Sequence, residues 1–188
     1  MYSACGKRCF DIFSAVMASI MLSPIIVLIS LLIRITDPGP IIFRQNRIGR
    51  YGIAFELYKF RSMPVNTRDV PSDQLRGVNF TWIGKLIRRT NLDELPQLIN
   101  IIKGDMSVVG PRPPLASQHE LIELRRENGA LSCRPGLTGL AQISSFDGMS
   151  VGEKAHFDGE YAHKISIIKD LSIIFRTFAY LRKSPPVY

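Results

Sequence analysis

Two neighbouring carboxylates, Asp93 and Glu94, stand in the stretch "RRTNLDELPQLIN" (residues 88–100), close behind Arg88 and Arg89. These residue types support two readings. In the first they begin a helix: Asn91 followed three residues later by Glu94 fits a capping box, and acidic side chains in a first turn suit the helix dipole. In the second they perform chemistry. A carboxylate can attack phosphorus to give an acyl phosphate, or offer hard oxygen ligands to Mg2+, while arginine and lysine offset phosphate charge. The pattern by itself leaves both open.

Further cations stand at the ends of expected elements. Lys59 and Arg61 close the segment "IAFELYKFR" (53–61). Arg112 lies between prolines in "GPRPP" (110–114), and because proline fixes φ its guanidinium is carried on stiffened backbone. An arginine so held suits a fork onto phosphate; a surface turn that happens to contain arginine is the other reading. Arg134 opens "RPGLTGLAQI".

Composition narrows the partner. The chain has 188 residues, one domain's worth, with 24 Lys and Arg against 16 Asp and Glu, a net charge of +8. That balance calls for an anionic partner: nucleic acid, a membrane surface or a phosphorylated small molecule. Nucleic acid fits poorly, because the basic residues are not interleaved with aromatics and a long charge-free segment has no use there. Cys5, Cys9 and Cys133 show no disulfide or metal spacing and read as reduced thiols, in keeping with a cytosolic setting; His119, His156 and His163 are scattered. There is no Gly-rich P-loop, Gly-x-Ser-x-Gly elbow or zinc spacing.

The charge-free segment is "IFSAVMASIMLSPIIVLISLLI" (12–33). As a straight helix it would reach about 33 Å, the thickness of a bilayer's hydrocarbon core. Its length and the lack of a small-residue cleavage site argue against a signal peptide. Lys7 and Arg8 precede it, and Arg34, Arg44, Arg47 and Arg50 follow it. Basic flanks at both ends place both on one side of a membrane, which a bent hairpin broken at Ser23-Pro24 satisfies; a proline-kinked span is the alternative. Ser23 is suited to satisfying backbone groups that the proline frees.

The elements that must position these residues follow from periodicity. A turn at 37–40 leads into a β-hairpin around Gly49 and Gly52, its second strand about Ala54 to Phe60. A polar surface loop is expected over 64–77. Trp82, Ile83, Leu86 and Ile87 share one helical face; Leu92, Leu95, Leu98, Ile99 and Ile102 form another stripe, ended by Gly104. "SVV" before "GPRPP" reads as a short strand, 116–128 as an amphipathic helix stopped by Gly129, and "CRPGLTGLAQI" as turn then strand. A last helix from about Asp170 carries Leu171, Ile174, Phe175, Phe178 and Leu181 on one face, for packing on the core or, second, lying on lipid.

Taken together, "GPIIFRQNRIG", "YKFRSM", "LIRRTNLDELPQLINIIKGDMSVVGPRP" and "RPGLTGLAQI" resemble the bacterial sugar transferases that are monotopic phosphoglycosyl transferases. The resemblance covers nearly the whole chain, in the minimal form without a multi-span extension. It implies a mixed, helix-rich α/β fold: a re-entrant membrane helix hairpin over 1–36 and a compact cytosolic catalytic unit over 37–188. It implies transfer of a sugar 1-phosphate from a nucleotide sugar, usually UDP-linked, to polyprenyl phosphate, with release of UMP and Mg2+ as cofactor. This begins assembly of a lipid-linked glycan at the cytoplasmic face of the inner membrane. By motif, Asp93 is the expected nucleophile and Glu94 positions it and the metal. Lys59, Arg61, Arg88, Arg112, Arg134 and Gln142 are expected to contact substrate. Lys7 and Arg8 are expected at the headgroups of an anionic phospholipid membrane, and Ser23-Pro24 at the helix break. Asp158 and Tyr161 align with the family pattern without an assigned role. Leu140 and "SSFDGMS" (144–150) depart from that pattern, in the region expected to face the sugar.

Overall fold

In the computed structural model, which describes residues 2–65, 80–144 and 148–181, one α-helix, α1 (Lys7–Thr36), takes up the whole apolar segment. At 1.5 Å per residue it is about 45 Å long. Pro24 lies inside it and cannot donate to the carbonyl of Ile20; the Ser23 hydroxyl does so instead, at 2.8 Å. With that acceptor satisfied the helix continues through the proline, and the expected two-armed break at Ser23-Pro24 is not seen.

One face of α1 is buried along its length. Ala15 packs with Leu57, Leu98, Ile101 and Met106, while Ile29 and Ile33 pack with Phe60, Ile83 and Ile87. Spacings of three and four place these side chains, with Ala18 and Ile26 between them, on one stripe. The remaining face is apolar and open, with Phe13, Ile20, Met21, Leu28 and Ile35 all exposed. An open apolar face of this extent marks a membrane or partner surface.

The elements resting on α1 are short. Strands β1 (Ile42–Ile48) and β2 (Ala54–Phe60) form the expected antiparallel hairpin, with Phe43 opposite Lys59 and Ile48 opposite Ala54. Helices α2 (Trp82–Arg89) and α3 (Gln97–Lys103) follow, the latter closed by Gly104 at φ 100°. Strand β3 (Ser107–Val109) pairs in parallel with β4 (Gly136–Thr138) across α4 (His119–Glu127). Helices α5 (Leu140–Ser144), α6 (Val151–His163) and α7 (Ile167–Leu181) complete the order. The expected strand beyond Thr138 is helix α5 instead. A Cβ on Gly136 would collide with the backbone of Gly110, so glycine permits the close approach of the "VGPRP" and "RPGLTG" segments. The expected surface loop falls largely on 66–79, outside the described residues, as do 145–147 and Arg182 and Lys183.

Periodicity found apolar stripes whose facing the structure revises. On α2, Ile83 and Ile87 are buried while Trp82 and Leu86 are exposed. On α3, Leu98 and Ile101 are buried and Ile99 and Ile102 open. On α7 the core face is Asp170 and Ile173, and Leu171, Phe175 and Phe178 point outward.

Asp170 explains that rotation. It is fully buried, accepts from Tyr2 at 2.6 Å and from Tyr161 at 2.7 Å, and pairs with Lys7 Nζ at 2.8 Å. A buried carboxylate must be met by donors, so it selects the inward face of α7. The two residues expected at the headgroups, Lys7 and Arg8, both have partners within the fold. Lys7 is turned inward, and Arg8 donates to the Ile101 and Ile102 carbonyls at 2.6 and 2.8 Å, capping the C-terminal end of α3. Lys7→Met is expected to cost about 3 kcal/mol of stability by leaving Asp170 without its cation. Thermal unfolding of the detergent-solubilised protein checks this, and the Lys7→Met/Asp170→Leu double variant should recover part of the loss.

Candidate active site

Helix α2 ends at Arg89, and Asn91 then adopts a left-handed conformation (φ 55°) that reverses the chain into a 3-10 turn, Leu92–Glu94. Pro96 has no N–H to extend that turn, so α3 begins only at Gln97. Asp93 and Glu94 therefore sit in a tight turn between two helices rather than in a first helical turn. The expected capping box is absent: Asn91 makes no side-chain cap, and the Glu94 carboxylate is taken by cations.

Those cations are Lys59, from the end of β2, and Arg112. Lys59 Nζ lies 2.7 Å from Glu94 Oε1 and 3.8 Å from Asp93 Oδ2; Arg112 Nη2 lies 3.0 Å from the same Glu94 oxygen. Arg88, on the last turn of α2, stacks over Phe80 at 4.9 Å and adds a positive charge near Asp93. The structure thus gathers Asp93, Glu94, Lys59, Arg88 and Arg112.

The two carboxylates are pushed apart electrostatically. Burial raises the Asp93 pKa above its ordinary 3.8; the Lys59 charge opposes this, the Glu94 charge adds to it, and Arg88 and Arg112 oppose it. For Glu94, burial also raises the pKa, but Lys59 and Arg112, through charge and hydrogen bonds, overcome it and hold the group well below the usual carboxylate range. One carboxylate is engaged by two cations that favour its ionised form; the other is buried, more basic than usual and met by a single 3.8 Å contact.

Arg112 is exposed at its side chain but fixed at its backbone. Its carbonyl accepts from Arg125 Nη1 at 2.8 Å, and Arg125 is clasped by Asp158 at 2.6 and 2.8 Å. Sequence reasoning had no signal for Arg125: Arg126 is its neighbour and pairs in the open with Glu123, whereas Arg125 is buried. Burial on α4 alone separates them. Tyr161, also without a role in the sequence, ties α6 to β3 through its hydroxyl, 3.0 Å from the Val109 carbonyl.

Other expected contacts lie elsewhere. Arg61 is buried against the Asp37 carbonyl and its carboxylate, closing the end of α1. Arg134 donates to Gly104 O at 2.9 Å beside Arg8, at the far end of α3 from Asp93. Gln142 sits on α5, where its amide donates to Leu137 O at 3.3 Å. These three side chains carry donors, and the fold uses them on backbone carbonyls.

Fold and site together define a class: an enzyme for anionic substrates, with a buried carboxylate beside fixed cations and a long apolar helix that gives it a membrane-associating surface. Comparison with known sequences is more specific. A family model described as bacterial sugar transferase matches residues 2–184. The exopolysaccharide production protein ExoY of Sinorhizobium fredii is 38% identical over 92% of this chain and 83% of its own. A UDP-glucose:undecaprenyl-phosphate glucose-1-phosphate transferase of Caulobacter vibrioides is 34% identical over 97% of this chain and 72% of its own. A protein of the same description from Escherichia coli is 38% identical over 91% of this chain, which spans only 39% of that relative. The chain belongs to the bacterial sugar transferase family.

The opposed shifts give opposed stability effects. A carboxyl whose pKa is raised on folding costs stability when ionised, so Asp93→Asn should melt at or above the wild-type temperature. Glu94, with a depressed pKa, contributes stability present above its ordinary 4.5 and lost as pH falls through the depressed value. Glu94→Gln should therefore lose about 2 kcal/mol, with the half-open Arg112 limiting the cost. Melting curves of both variants at neutral pH check the signs.

Proposed function

We propose that this protein transfers a sugar 1-phosphate from a UDP-sugar to a membrane polyprenyl phosphate and releases UMP, as the first step of a lipid-linked glycan or exopolysaccharide. The observation that carries this reading is the buried, basic Asp93 carboxylate next to the Lys59–Glu94–Arg112 cluster, in a chain aligned nearly end to end with proteins named for that reaction.

In the first half-reaction Asp93 Oδ attacks the β-phosphorus of the donor. A carboxylate–phosphorus bond forms, the bond from that phosphorus to the bridging oxygen breaks, and the bridging oxygen leaves with its electron pair on UMP. In the second, a polyprenyl phosphate oxygen attacks the same phosphorus and frees the carboxylate, so ping-pong kinetics follow. Arg88, Arg112 and Lys59 offset phosphate charge in both steps. Glu94, held by Lys59 and Arg112, fixes the cations around its neighbour.

The carboxylates also fit Mg2+. The described residues contain no cluster of three or more His, Cys, Asp or Glu, so no protein cage forms there, but Mg2+ is commonly bound through one or two carboxylates together with substrate phosphates and water. Asp93 and Glu94 would hold it, and it would neutralise phosphate charge.

The acceptor is a lipid, and the fold suits a monotopic arrangement at the cytoplasmic face, with 37–188 as the catalytic unit. The same body packs near both ends of α1, at Ala15 and at Ile33, which favours both ends on one side of the membrane over a simple span. The outward apolar side chains of α2 and α7, Trp82, Leu86, Phe175 and Phe178, extend the lipid-facing surface.

Incubation with labelled donor, acid quench and peptide mapping should place the label on Asp93, and Asp93→Asn should reduce UMP release by at least about a thousandfold; turnover near wild type would overturn the covalent reading. The acid limb of donor turnover should lie above the ordinary aspartate value. Because Lys59 lowers the Asp93 pKa, Lys59→Met should move that limb further up in pH–rate profiles. An impermeant thiol reagent should leave Cys5 and Cys133 unmodified in intact cells and reach Cys5 after lysis; Cys5 labelling in intact cells would instead establish a span.

A further inference from the structure

Of the three cations gathered at the site, Lys59 and Arg112 both lie on the Glu94 carboxylate, at 2.7 and 3.0 Å. Arg88 does not. Its guanidinium stacks over the Phe80 ring at 4.9 Å, and it makes no hydrogen bond or ion pair through its side chain among the described residues. It is half-buried on the last turn of α2, and its charge bears on Asp93. A neutral ring fixes the plane of a guanidinium while leaving its charge and its donors for an anion that arrives. The helix that carries Arg88 has a divided surface. Ile83 and Ile87 are buried against Ile29 and Ile33 of α1, whose outer face is open and apolar. Trp82 and Leu86, four residues apart and so on one row, are 57% and 50% exposed. Lys85 and Arg89, exposed on the same helix, add positive charge around that row. Trp82 stands about 9 Å before Arg88 along the axis, and the turn that holds Asp93 follows. Along α2 the order is therefore apolar row, cation, carboxylate.

We propose that this flank of α2 seats the acceptor: Arg88 takes the phosphate of polyprenyl phosphate, and the start of its chain lies along Leu86 and Trp82, continuous with the open face of α1. The assignment rests on the reading that Asp93 carries the phosphosugar. In the second half-reaction an acceptor phosphate oxygen forms the new bond to that phosphorus. The bond from phosphorus to the Asp93 oxygen breaks, and its electron pair returns to the carboxylate. Both partners in this step are anions, so bringing them together needs a fixed cation that Glu94 does not already engage. A planar guanidinium can fork onto two oxygens of the incoming phosphate and leave the third to attack. A prenyl phosphate offers an apolar chain followed by a charged head, the order in which α2 presents its own groups. A nucleotide sugar has no chain for the row to hold.

The test uses the full-length protein in nanodiscs, with Leu86→Gln and Arg88→Lys as variants. Leu86 is half-exposed, so the first alters the row without opening the core. The second keeps the charge but loses the planar fork and the stack on Phe80. Three activity readouts separate the half-reactions: labelling of Asp93 by donor without acceptor, discharge of preformed labelled enzyme over a range of polyprenyl phosphate, and equilibrium binding of a fluorescent polyprenyl phosphate. Melting temperature and flotation with vesicles control for folding and for membrane association. For Leu86→Gln the half-saturating acceptor concentration should rise about tenfold, with donor labelling within twofold of wild type and flotation and melting unchanged. For Arg88→Lys maximal discharge should fall at least about tenfold more than donor labelling, and acceptor binding should weaken. Discharge and acceptor binding within twofold of wild type in both variants overturn the proposal. Donor labelling lost as severely as discharge in Arg88→Lys would give Arg88 to the donor and overturn it. A Leu86→Gln defect that tracks a loss of flotation or of melting temperature would show anchoring or folding alone, and overturn it as well. Acceptor binding does not require the adduct, so failure of wild-type enzyme to label Asp93 would sink the covalent mechanism while leaving the acceptor site to stand or fall on that measurement.

Discussion

A single carboxylate oxygen, Oε1 of Glu94, joins parts of the chain that lie far apart in sequence: Lys59 at the end of β2, its own turn, and Arg112 between prolines. Ionising a carboxylate away from water is costly, and two cations at hydrogen-bond distance offset that cost. The result is a fixed pattern of charge around Asp93. Its own carboxylate has only a 3.8 Å contact with Lys59, too long for a strong hydrogen bond, and burial raises its basicity. Adjacent residues of similar chemistry thus acquire different properties from their surroundings. Glu94 becomes a clamp, and Asp93 is kept available.

The clamp holds its geometry because its second cation is anchored twice. The Arg112 carbonyl rests on buried Arg125, itself held by Asp158, and β3 immediately before it is fixed from both sides. On one side Asp11 of α1 accepts from Ser107 Oγ at 2.9 Å and from Val108 N at 3.0 Å; on the other Tyr161 meets the Val109 carbonyl. The apolar helix is therefore part of the scaffold that sets the site. Arg8 strengthens this by capping the end of α3, the helix that follows the Leu92–Glu94 turn. The same helix carries an open apolar face and positions β3 and α3, so that face and the site are mechanically linked.

Polar anchors, more than apolar periodicity, determine which way the helices face. The α7 stripe is apolar enough to pack on a core, but Asp170 on its other side must reach Tyr2, Lys7 and Tyr161, and the stripe is left outward. Trp82 and Leu86 on α2 are likewise open while Ile83 and Ile87 are covered. Burying a carboxylate without donors costs more than exposing several apolar side chains, above all where a bilayer can cover them.

The order of residues by itself determined much of this protein. Turn chemistry and alternation specified the hairpin around Gly49 and Gly52, Gly104 specified the end of α3, and the charge-free run specified a long apolar helix, because these depend on neighbours within a few residues; the break expected at Ser23-Pro24 is not seen in that helix. Asp93 and Glu94 were legible as a pair of interest, with Lys59, Arg88 and Arg112 as companions through motif resemblance. Only the tertiary structure decided that Asn91 caps nothing, that one Glu94 oxygen is taken by two cations while Asp93 has a single long contact, that Lys7, Arg8, Arg61 and Arg134 find partners within the fold, and that Arg125 is buried behind Arg112. The reason is physical: a side chain's role follows from burial and from donors supplied by distant segments, and local spacing carries neither.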